Sequence, residues 1–131
     1  MSIDQMDFYQ RKLAYEMDSA DVYEALEKGE AIVVVDGRSS SAYAEEHIPG
    51  SVSLPHRGIS FDSTAALDKS KVYVCYCDGI GCNASTKTAL KLLTLGFQVR
   101  ELIGGLDWWK RDGYATHGSG AQAESEIKCG C

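Results

Sequence analysis

Two short runs of apolar residues constrain the fold of this chain more than any other feature of its sequence. Residues 31–35 (AIVVV) and residues 72–76 (VYVCY) are apolar throughout and too short to be buried helices. An uninterrupted apolar run of this length is typical of a strand that is buried on both faces, as in a parallel sheet. Asp36 and Gly37 end the first run, and a glycine-containing loop follows the second. The pattern therefore predicts two buried strands of a parallel sheet.

Helical and strand-like patterns surround these two runs. Helices are predicted over residues 6–17, 20–28, 40–46 and 106–111, a turn of helix over 57–60, and strands over 51–54 and 98–103. A further helix, capped by Asn83 or Ser85, runs to Leu95. The residues of this helix that are expected to face the core are Ala89, Leu90, Leu92 and Leu93, together with Phe97, which follows the helix. Strands that alternate with helices predict an α/β fold with about five mostly parallel strands.

The length of the chain is sufficient for one domain with its own hydrophobic core, since the sequence has 131 residues. We predict an N-terminal helical extension over residues 1–17 and a domain over residues 18–115. Residues 116–131 are small and polar, so they are expected to form a flexible tail that contains Cys129 and Cys131.

Charge and hydropathy exclude two classes of partner. A formal net charge of -6 argues against nucleic-acid binding, which depends on clustered Lys and Arg side chains. No apolar run approaches the roughly 20 residues that cross a bilayer. The first 15 residues contain interspersed charges where a signal peptide would be apolar. We therefore expect a cytoplasmic protein that binds neither nucleic acid nor a membrane.

The five cysteines are clustered rather than spread as in a secreted disulfide framework. Cys75 lies inside a predicted strand and is expected to be a core residue, whereas Cys77 and Cys82 flank a loop. Cys129 and Cys131 can relay sulfur or electrons, or join the loop cysteines in a metal site. Because the paired C-x-x-C spacing of structural zinc is missing, we predict no metal and no cofactor.

Cys77 lies at the predicted carboxyl end of a strand, where parallel α/β sheets place their active sites. Gly79 and Gly81 can adopt positive φ, which would curl successive amides into an anion-binding nest. With the dipole of the next helix, such a nest would lower the pKa of the Cys77 thiol and stabilise a thiolate or persulfide. The same spacing also fits a tight turn in which the cysteines only pack, and it does not decide between the two.

The residues around both strands resemble the rhodanese family. The first strand ends in Asp36-Gly37-Arg38, and Tyr43 and the turn of residues 46–52 (EHIPGSV) follow, as in the amino-terminal signature of that family. Further segments of the sequence resemble the rest of a rhodanese domain. They are residues 72–77, Gly79, residues 89–93, 96–97 and 102–105, and Trp108 or Trp109. The resemblance covers roughly residues 18–114.

The resemblance implies a rhodanese-like doubly wound sheet and a sulfurtransferase. In this family a cysteine, by position Cys77, takes sulfane sulfur from a donor, holds it as a persulfide and passes it to a thiol or other nucleophile. The donor would be thiosulfate, a thiosulfonate or a persulfide, and the acceptor a small thiol or a protein. Asp36 and Arg38 would brace this end of the sheet, and His47 would be structural. The implied cradle of loop amides comprises Asp78, Gly79, Ile80, Gly81, Cys82 and Asn83.

The loop after Cys77 departs from the family pattern, since it is about two residues longer and lacks the usual arginine. Asp78 would repel a dianionic donor and raise the pKa of a neighbouring thiol, which argues against a preference for thiosulfate. Cys82 can resolve a persulfide or sulfenic acid on Cys77 by forming a disulfide, or it can be the nucleophile itself; we favour the resolving role. The alternative to an enzyme is a non-catalytic binding or redox-sensing module that uses the Cys77/Cys82 pair.

Overall fold

The computed structural model describes residues 3–126, in which helices flank a five-stranded sheet. The helices are α1 (Ile3–Tyr15), α2 (Ser19–Glu27), α3 (Ser40–Glu45), α4 (Ala84–Thr94) and α5 (Gly105–Arg111), with a 3-10 turn at His56–Gly58. The strands are β1 (Glu16–Met17), β2 (Ile32–Asp36), β3 (Val52–Ser53), β4 (Val72–Tyr76) and β5 (Gln98–Leu102). Neighbouring strands are parallel in the order β1-β5-β4-β2-β3, which confirms the predicted α/β fold.

The central strand, β4, is covered on both faces. Val74 and Tyr76 belong to a core cluster shared with residues of α2 and α5. Tyr73 and Cys75 point to the opposite face, where they belong to a second cluster with Leu92 of α4. Because successive strand residues face opposite sides, burial on both faces requires an apolar residue at every position. This explains the continuous apolar run, and it places Cys75 in the core as expected.

The chain enters the sheet through β1, a two-residue strand that the sequence pattern did not predict. Residues 16–17 pair with residues 101–102 of β5, so α1 ends at Tyr15. A pair of residues is too short to leave a periodic signal. Asp18 then caps α2: its carboxylate accepts from the Asp21 amide, and the Asp21 carboxylate accepts from the Asp18 amide. This reciprocal pair satisfies donors at the start of α2.

Helix α4 packs on the sheet through a narrower apolar face than the sequence pattern predicts. Ala89 and Leu92 are buried, but Leu90 and Leu93 are exposed, so their predicted core positions are wrong. The buried side of the helix includes the polar residue Thr88, which donates to the Ala84 carbonyl one turn earlier. Counting apolar residues alone therefore shifts the predicted core face away from the observed one.

The first part of the predicted tail is held against the domain. Thr116 is buried, and its amide donates to the Gln122 carbonyl. His117 exchanges two backbone hydrogen bonds with His47, and the Gly120 amide donates to the end of α3. The expectation of a loose tail is thus wrong for residues 116–126. Small polar residues permit this close packing of backbone against backbone.

Two further findings concern membranes and metals. No helix within residues 3–126 is long and apolar enough to span a bilayer. In this part of the chain, no group of three or more His, Cys, Asp and Glu side chains is arranged to hold a metal ion. Cys129 and Cys131, for which a relay or metal-binding role was considered, lie outside the described residues.

Candidate active site

Cys77 directly follows β4 and is held there by the start of α5. The Leu106 amide donates to the Cys77 carbonyl at 2.9 Å, and the Asp107 amide donates to the Asp78 carbonyl at 2.7 Å. Gly105 permits this approach, because an added Cβ would lie 2.4 Å from the Cys77 carbonyl oxygen. Cys77 is only 2% exposed. Its backbone position is therefore fixed by another element and not by the loop that follows it.

A buried ion pair braces the same end of the sheet. Asp36 ends β2 and is fully buried, and Arg38 donates to its carboxylate from Nε and from Nη2, the latter at 2.7 Å. The Tyr76 hydroxyl donates to the same carboxylate at 3.0 Å. Burial lowers the pKa of Arg38, but the hydrogen bonds and charge of Asp36 outweigh it and raise that pKa overall. The pair links the ends of β2 and β4, as the resemblance implies.

Arg38 also reaches the residue that follows Cys77. Its Nη1 donates to Asp78 Oδ1 at 3.0 Å, while Nη2 donates to the Glu46 carbonyl at 2.6 Å. The Asp78 side chain is 73% exposed, so solvent weakens this ion pair. The guanidinium nevertheless offsets part of the negative charge that the sequence places beside the cysteine. The predicted repulsion between Asp78 and an anionic donor is correspondingly smaller.

The loop after β4 is closed by a disulfide between Cys77 and Cys82, whose Cα atoms are 6.2 Å apart. Within the loop, the Cys82 amide donates to the Gly79 carbonyl at 3.1 Å. Neither Gly79 nor Gly81 has a positive φ, so the predicted left-handed curl at these glycines is wrong. A Cβ added at Gly79 would lie 3.2 Å from the Cβ of Asp107, a close approach, whereas one added at Gly81 would meet nothing within 4 Å.

Several backbone amides of this loop are available to an anion. Within residues 3–126, no acceptor is hydrogen-bonded to the amides of residues 78–81 or of Asn83. Asn83 precedes α4 without capping it through its side chain. The partial positive charge at the start of α4 thus adds to the donors that surround the loop. The resemblance places the substrate cradle on these amides and on that of Cys82, but the Cys82 amide donates to the Gly79 carbonyl instead.

Two cavities meet at the cysteine pair. One, of about 300 Å³, lies towards the start of α4 and the end of β5 and is lined by both cysteines, Ser85 and Glu101. The other, of about 370 Å³, lies on the opposite side, and its lining includes both cysteines together with Arg38 and Arg57. Both cavities are therefore lined by Cys77 and by Cys82 of the loop.

The sequence pattern did not predict the basic residues on and around the second cavity. His56 and Arg57 line that cavity, and Lys91 donates to the His56 carbonyl. Partial burial lowers the pKa of His56, and the charges of Lys87, Lys91 and Arg57 lower it further. The topology could have indicated that His56 and Arg57 lie near the site. They follow β3, whose carboxyl end lies at the same edge of the sheet as that of β2.

Two other residues that the sequence singled out lie apart from the chemistry. Burial raises the pKa of the Cys75 thiol to about 12, with a smaller contribution from Glu101, so this cysteine is not a nucleophile at neutral pH. His47 stacks on Tyr43, and its Nδ1 lies 2.7 Å from the Tyr43 carbonyl oxygen. With the bridge to His117, these contacts give His47 the turn-bracing role implied by the resemblance.

Comparison with known sequences agrees with this geometry. A family model described as "Rhodanese-like domain" matches residues 18–112. A protein named thiosulfate sulfurtransferase GlpE from Pseudomonas fluorescens is 41% identical over 80 residues, which cover 60% of this chain and 70% of that protein. The Coxiella burnetii protein of the same name is 38% identical over 87 residues, covering 65% and 78%.

Solved structures lead to the same family. The BH2092 protein from Bacillus halodurans superposes with a TM-score of 0.87 at 43% identity, covering 90% of this chain and 87% of that one. The rhodanese-like domain of the Alr3790 protein from Anabaena has a TM-score of 0.71 at 30% identity, covering 88% and 86%. The family model covers most of the chain, and the fold agrees with the solved structures. This chain belongs to the rhodanese-like domain family.

Proposed function

We propose that the protein is a sulfurtransferase in which Cys77 is the nucleophile and carries sulfane sulfur as a persulfide. One observation carries the assignment of Cys77. It is the cysteine that a rhodanese-like domain holds at the carboxyl end of its central strand, between two cavities and beside unbonded amides. Cys75 is buried in the core, and Cys82 lies at the far end of the loop.

The reaction takes place in two displacements. The Cys77 thiolate attacks the sulfane sulfur of the donor, so a sulfur–sulfur bond forms on Cys77 while the bond within the donor breaks; with thiosulfate, sulfite leaves with the electron pair. An acceptor thiolate then attacks the outer sulfur of the persulfide, and the Cys77 thiolate is released. Amides of residues 78–81 and of Asn83, together with the start of α4, stabilise the negative sulfur in both steps.

Thiosulfate is the donor that we propose. The relatives named above as thiosulfate sulfurtransferases support this choice. The objection from the sequence rested on the negative charge of Asp78, and the ion pair with Arg38 weakens it. Arg57 and Lys87 supply further positive charge near the cavity of about 370 Å³ that Arg38 also lines. Asp36 and Arg38 act as positioning residues, because they fix the ends of the strands without reaching the reacting sulfur.

The proposed reaction requires the reduced form of the loop, since a disulfide-bonded Cys77 has no free thiolate. We place the protein in the cytoplasm, where cellular reductants keep thiols reduced. The disulfide form is then the oxidised, inactive state of the same site. A small thiol or a protein thiol would accept the sulfur.

The test is to expose fully reduced protein to thiosulfate and to measure its intact mass and the sulfite released. Wild type should release sulfite, and the Cys82→Ser variant should in addition retain the mass of one added sulfur atom. Cys77→Ser should do neither. If the reduced wild-type protein and Cys82→Ser both fail to react, the binding or redox-sensing module becomes the better account. Reaction that persists in Cys77→Ser but is lost in Cys82→Ser would move the nucleophile to Cys82.

A further inference from the structure

We infer that Cys82 is an internal resolving thiol that attacks the Cys77 persulfide, releases hydrosulfide and leaves the Cys77–Cys82 disulfide. This inference rests on the proposed function, because it needs a persulfide on Cys77. It adds a second outcome to sulfur transfer. The carried sulfur leaves as sulfide even when no external thiol takes it, and the enzyme then requires a dithiol reductant before its next turnover.

The geometry of the loop makes this step accessible. The Cα atoms of Cys77 and Cys82 are 6.2 Å apart, within the range of about 4.4–6.8 Å that disulfides span. The structure contains the bonded form together with the complete sheet and the flanking helices α4 and α5. The product of the proposed step is therefore a conformation that the fold accepts.

The two sulfur atoms have unequal surroundings, which assigns their roles. Cys77 is buried, and its carbonyl accepts from the amide of Leu106 in α5. Cys82 is partly exposed and follows Ile80, which is 82% exposed, and Gly81, which has open space around its Cα. The loop can therefore bring Cys82 to Cys77 or withdraw it, while Cys77 stays in place. Cys82 is the attacking partner and Cys77 the stationary one.

The step balances with no oxidant other than the sulfur donor. The Cys82 thiolate attacks Sγ of Cys77, forming the Cys77–Cys82 bond and breaking the bond between Cys77 and the outer sulfur. The outer sulfur leaves with that electron pair as hydrosulfide. The sulfane sulfur is thus reduced by two electrons, which the two cysteine sulfurs lose on becoming a disulfide.

The same asymmetry indicates how the disulfide is reopened. A reductant reaches the partly exposed Cys82 more readily than the buried Cys77. Its first thiolate forms a mixed disulfide with Cys82, and Cys77 leaves as a thiolate near the start of α4, where negative charge is stabilised. The second thiol of a dithiol then displaces Cys82. Over one cycle, thiosulfate and a dithiol give sulfite, hydrosulfide, the cyclic disulfide of the reductant and a proton.

Other cysteines have to be excluded as the resolving thiol. Cys75 lies in the core and its pKa is raised to about 12, so it neither reaches the loop surface nor ionises at neutral pH. Cys129 and Cys131 lie outside the described residues, and a double variant tests them directly. Cys129→Ser/Cys131→Ser is therefore the matched control for Cys82→Ser, because both replace thiols by hydroxyls.

The experiment is a single turnover without external thiol. Reduced protein is freed of reductant under anaerobic conditions, mixed with one equivalent of thiosulfate, and followed by sulfide release and intact mass. Wild type and the Cys129→Ser/Cys131→Ser variant should release one sulfide per chain and end two hydrogens lighter, with Cys77 and Cys82 joined. Cys82→Ser should release sulfite but no sulfide, and it should keep the added sulfur until a thiol is supplied. Wild type without thiosulfate should keep its thiols.

The outcomes separate the inference from the proposed function. If wild type keeps the added sulfur as long as Cys82→Ser does, or if Cys82→Ser also releases sulfide, the resolving role of Cys82 is wrong while sulfur transfer stands. Loss of sulfide release in Cys129→Ser/Cys131→Ser assigns resolution to the C-terminal cysteines and overturns the inference. If Cys82→Ser takes up no sulfur and neither protein releases sulfite, the proposed function itself fails.

Discussion

The anchored end of the cysteine loop, Cys77 and Asp78, accepts two backbone hydrogen bonds from α5, whereas the open end, residues 80–82, is held by one hydrogen bond within the loop. A Cβ added at Gly105 would collide with the anchored end, but one added at Gly81 would meet nothing. This difference indicates that the fold holds the sulfur of Cys77 in one geometry, because that sulfur must be reached in the same way each time. The partner sulfur is left free to approach and to withdraw.

A buried ion pair braces the anchored end, whereas no ion pair among the described residues holds the open end. Arg38 links Asp36, which lies inside the domain, to Asp78 at the edge of the site. Around the open end, the disulfide and the Cys82–Gly79 hydrogen bond are the contacts that close the loop. Substitutions at the two ends should therefore have effects of very different size.

The largest effect is expected from Arg38→Ala, which leaves the Asp36 carboxylate buried without its cation. Loss of one member of a buried ion pair costs about 3–5 kcal/mol, and we expect a decrease of this order in the free energy of unfolding, measured by urea denaturation. Arg57→Ala is the matched control, since Arg57 is exposed and its loss should change stability by no more than about 0.5 kcal/mol. Equal stability of the two variants would show that the ion pair does not brace the anchored end.

A smaller effect is expected from Gly105→Ala. Gly105 has a φ of +58°, and an added Cβ would lie 2.4 Å from the Cys77 carbonyl oxygen and 2.9 Å from the Gly79 nitrogen. The strained backbone should cost about 1–3 kcal/mol of stability, and displacement of Cys77 should slow sulfur uptake from thiosulfate. Gly81→Ala should change stability by less than about 0.5 kcal/mol. If both alanine variants take up sulfur at the wild-type rate, the proposed difference between the anchored end and the open end of the loop is wrong.

The smallest perturbation is chemical labelling of the reduced wild-type protein. Iodoacetamide should modify Cys82 at about pH 8, but not Cys75, because that thiol is buried and its pKa is raised to about 12. The raised pKa means that Cys75 stays protonated as pH increases, and its labelling should rise only as the pH approaches that value. Peptide mass spectrometry distinguishes the sites. Labelling of Cys75 at the rate of Cys82 would contradict the burial of this side of β4.

The features that were predicted from the sequence are those that the residues of one short segment determine. Residues 72–76 were predicted as a strand with the observed bounds, because burial on both faces requires an apolar residue at each position. Asp36 and Arg38 were placed by resemblance to a known family, and the structure shows them bonded at the end of the sheet. Asp18 caps α2, a position that suits its carboxylate.

The features that the sequence did not predict depend on contacts between distant segments. The closeness of Arg57 to the cysteines arises from the parallel pairing of β3 with β2, which no local pattern encodes. The packing of residues 116–126 depends on backbone hydrogen bonds to α3 and to His47, so their small polar side chains gave no signal of it. Gly79 was expected to have a positive φ, which the structure does not show, and its close neighbour is the side chain of Asp107 in a distant segment.

The location of the sulfur atom after a single reaction with thiosulfate decides whether Cys77 is the nucleophile. Reduced Cys82→Ser protein, which cannot form the loop disulfide, is treated with thiosulfate and blocked with an alkylating agent that preserves persulfides. Peptide mass spectrometry then finds the added sulfur. The account predicts a persulfide on Cys77 and none on Cys75. A persulfide found only on another cysteine, or on none while sulfite is still produced, would contradict it.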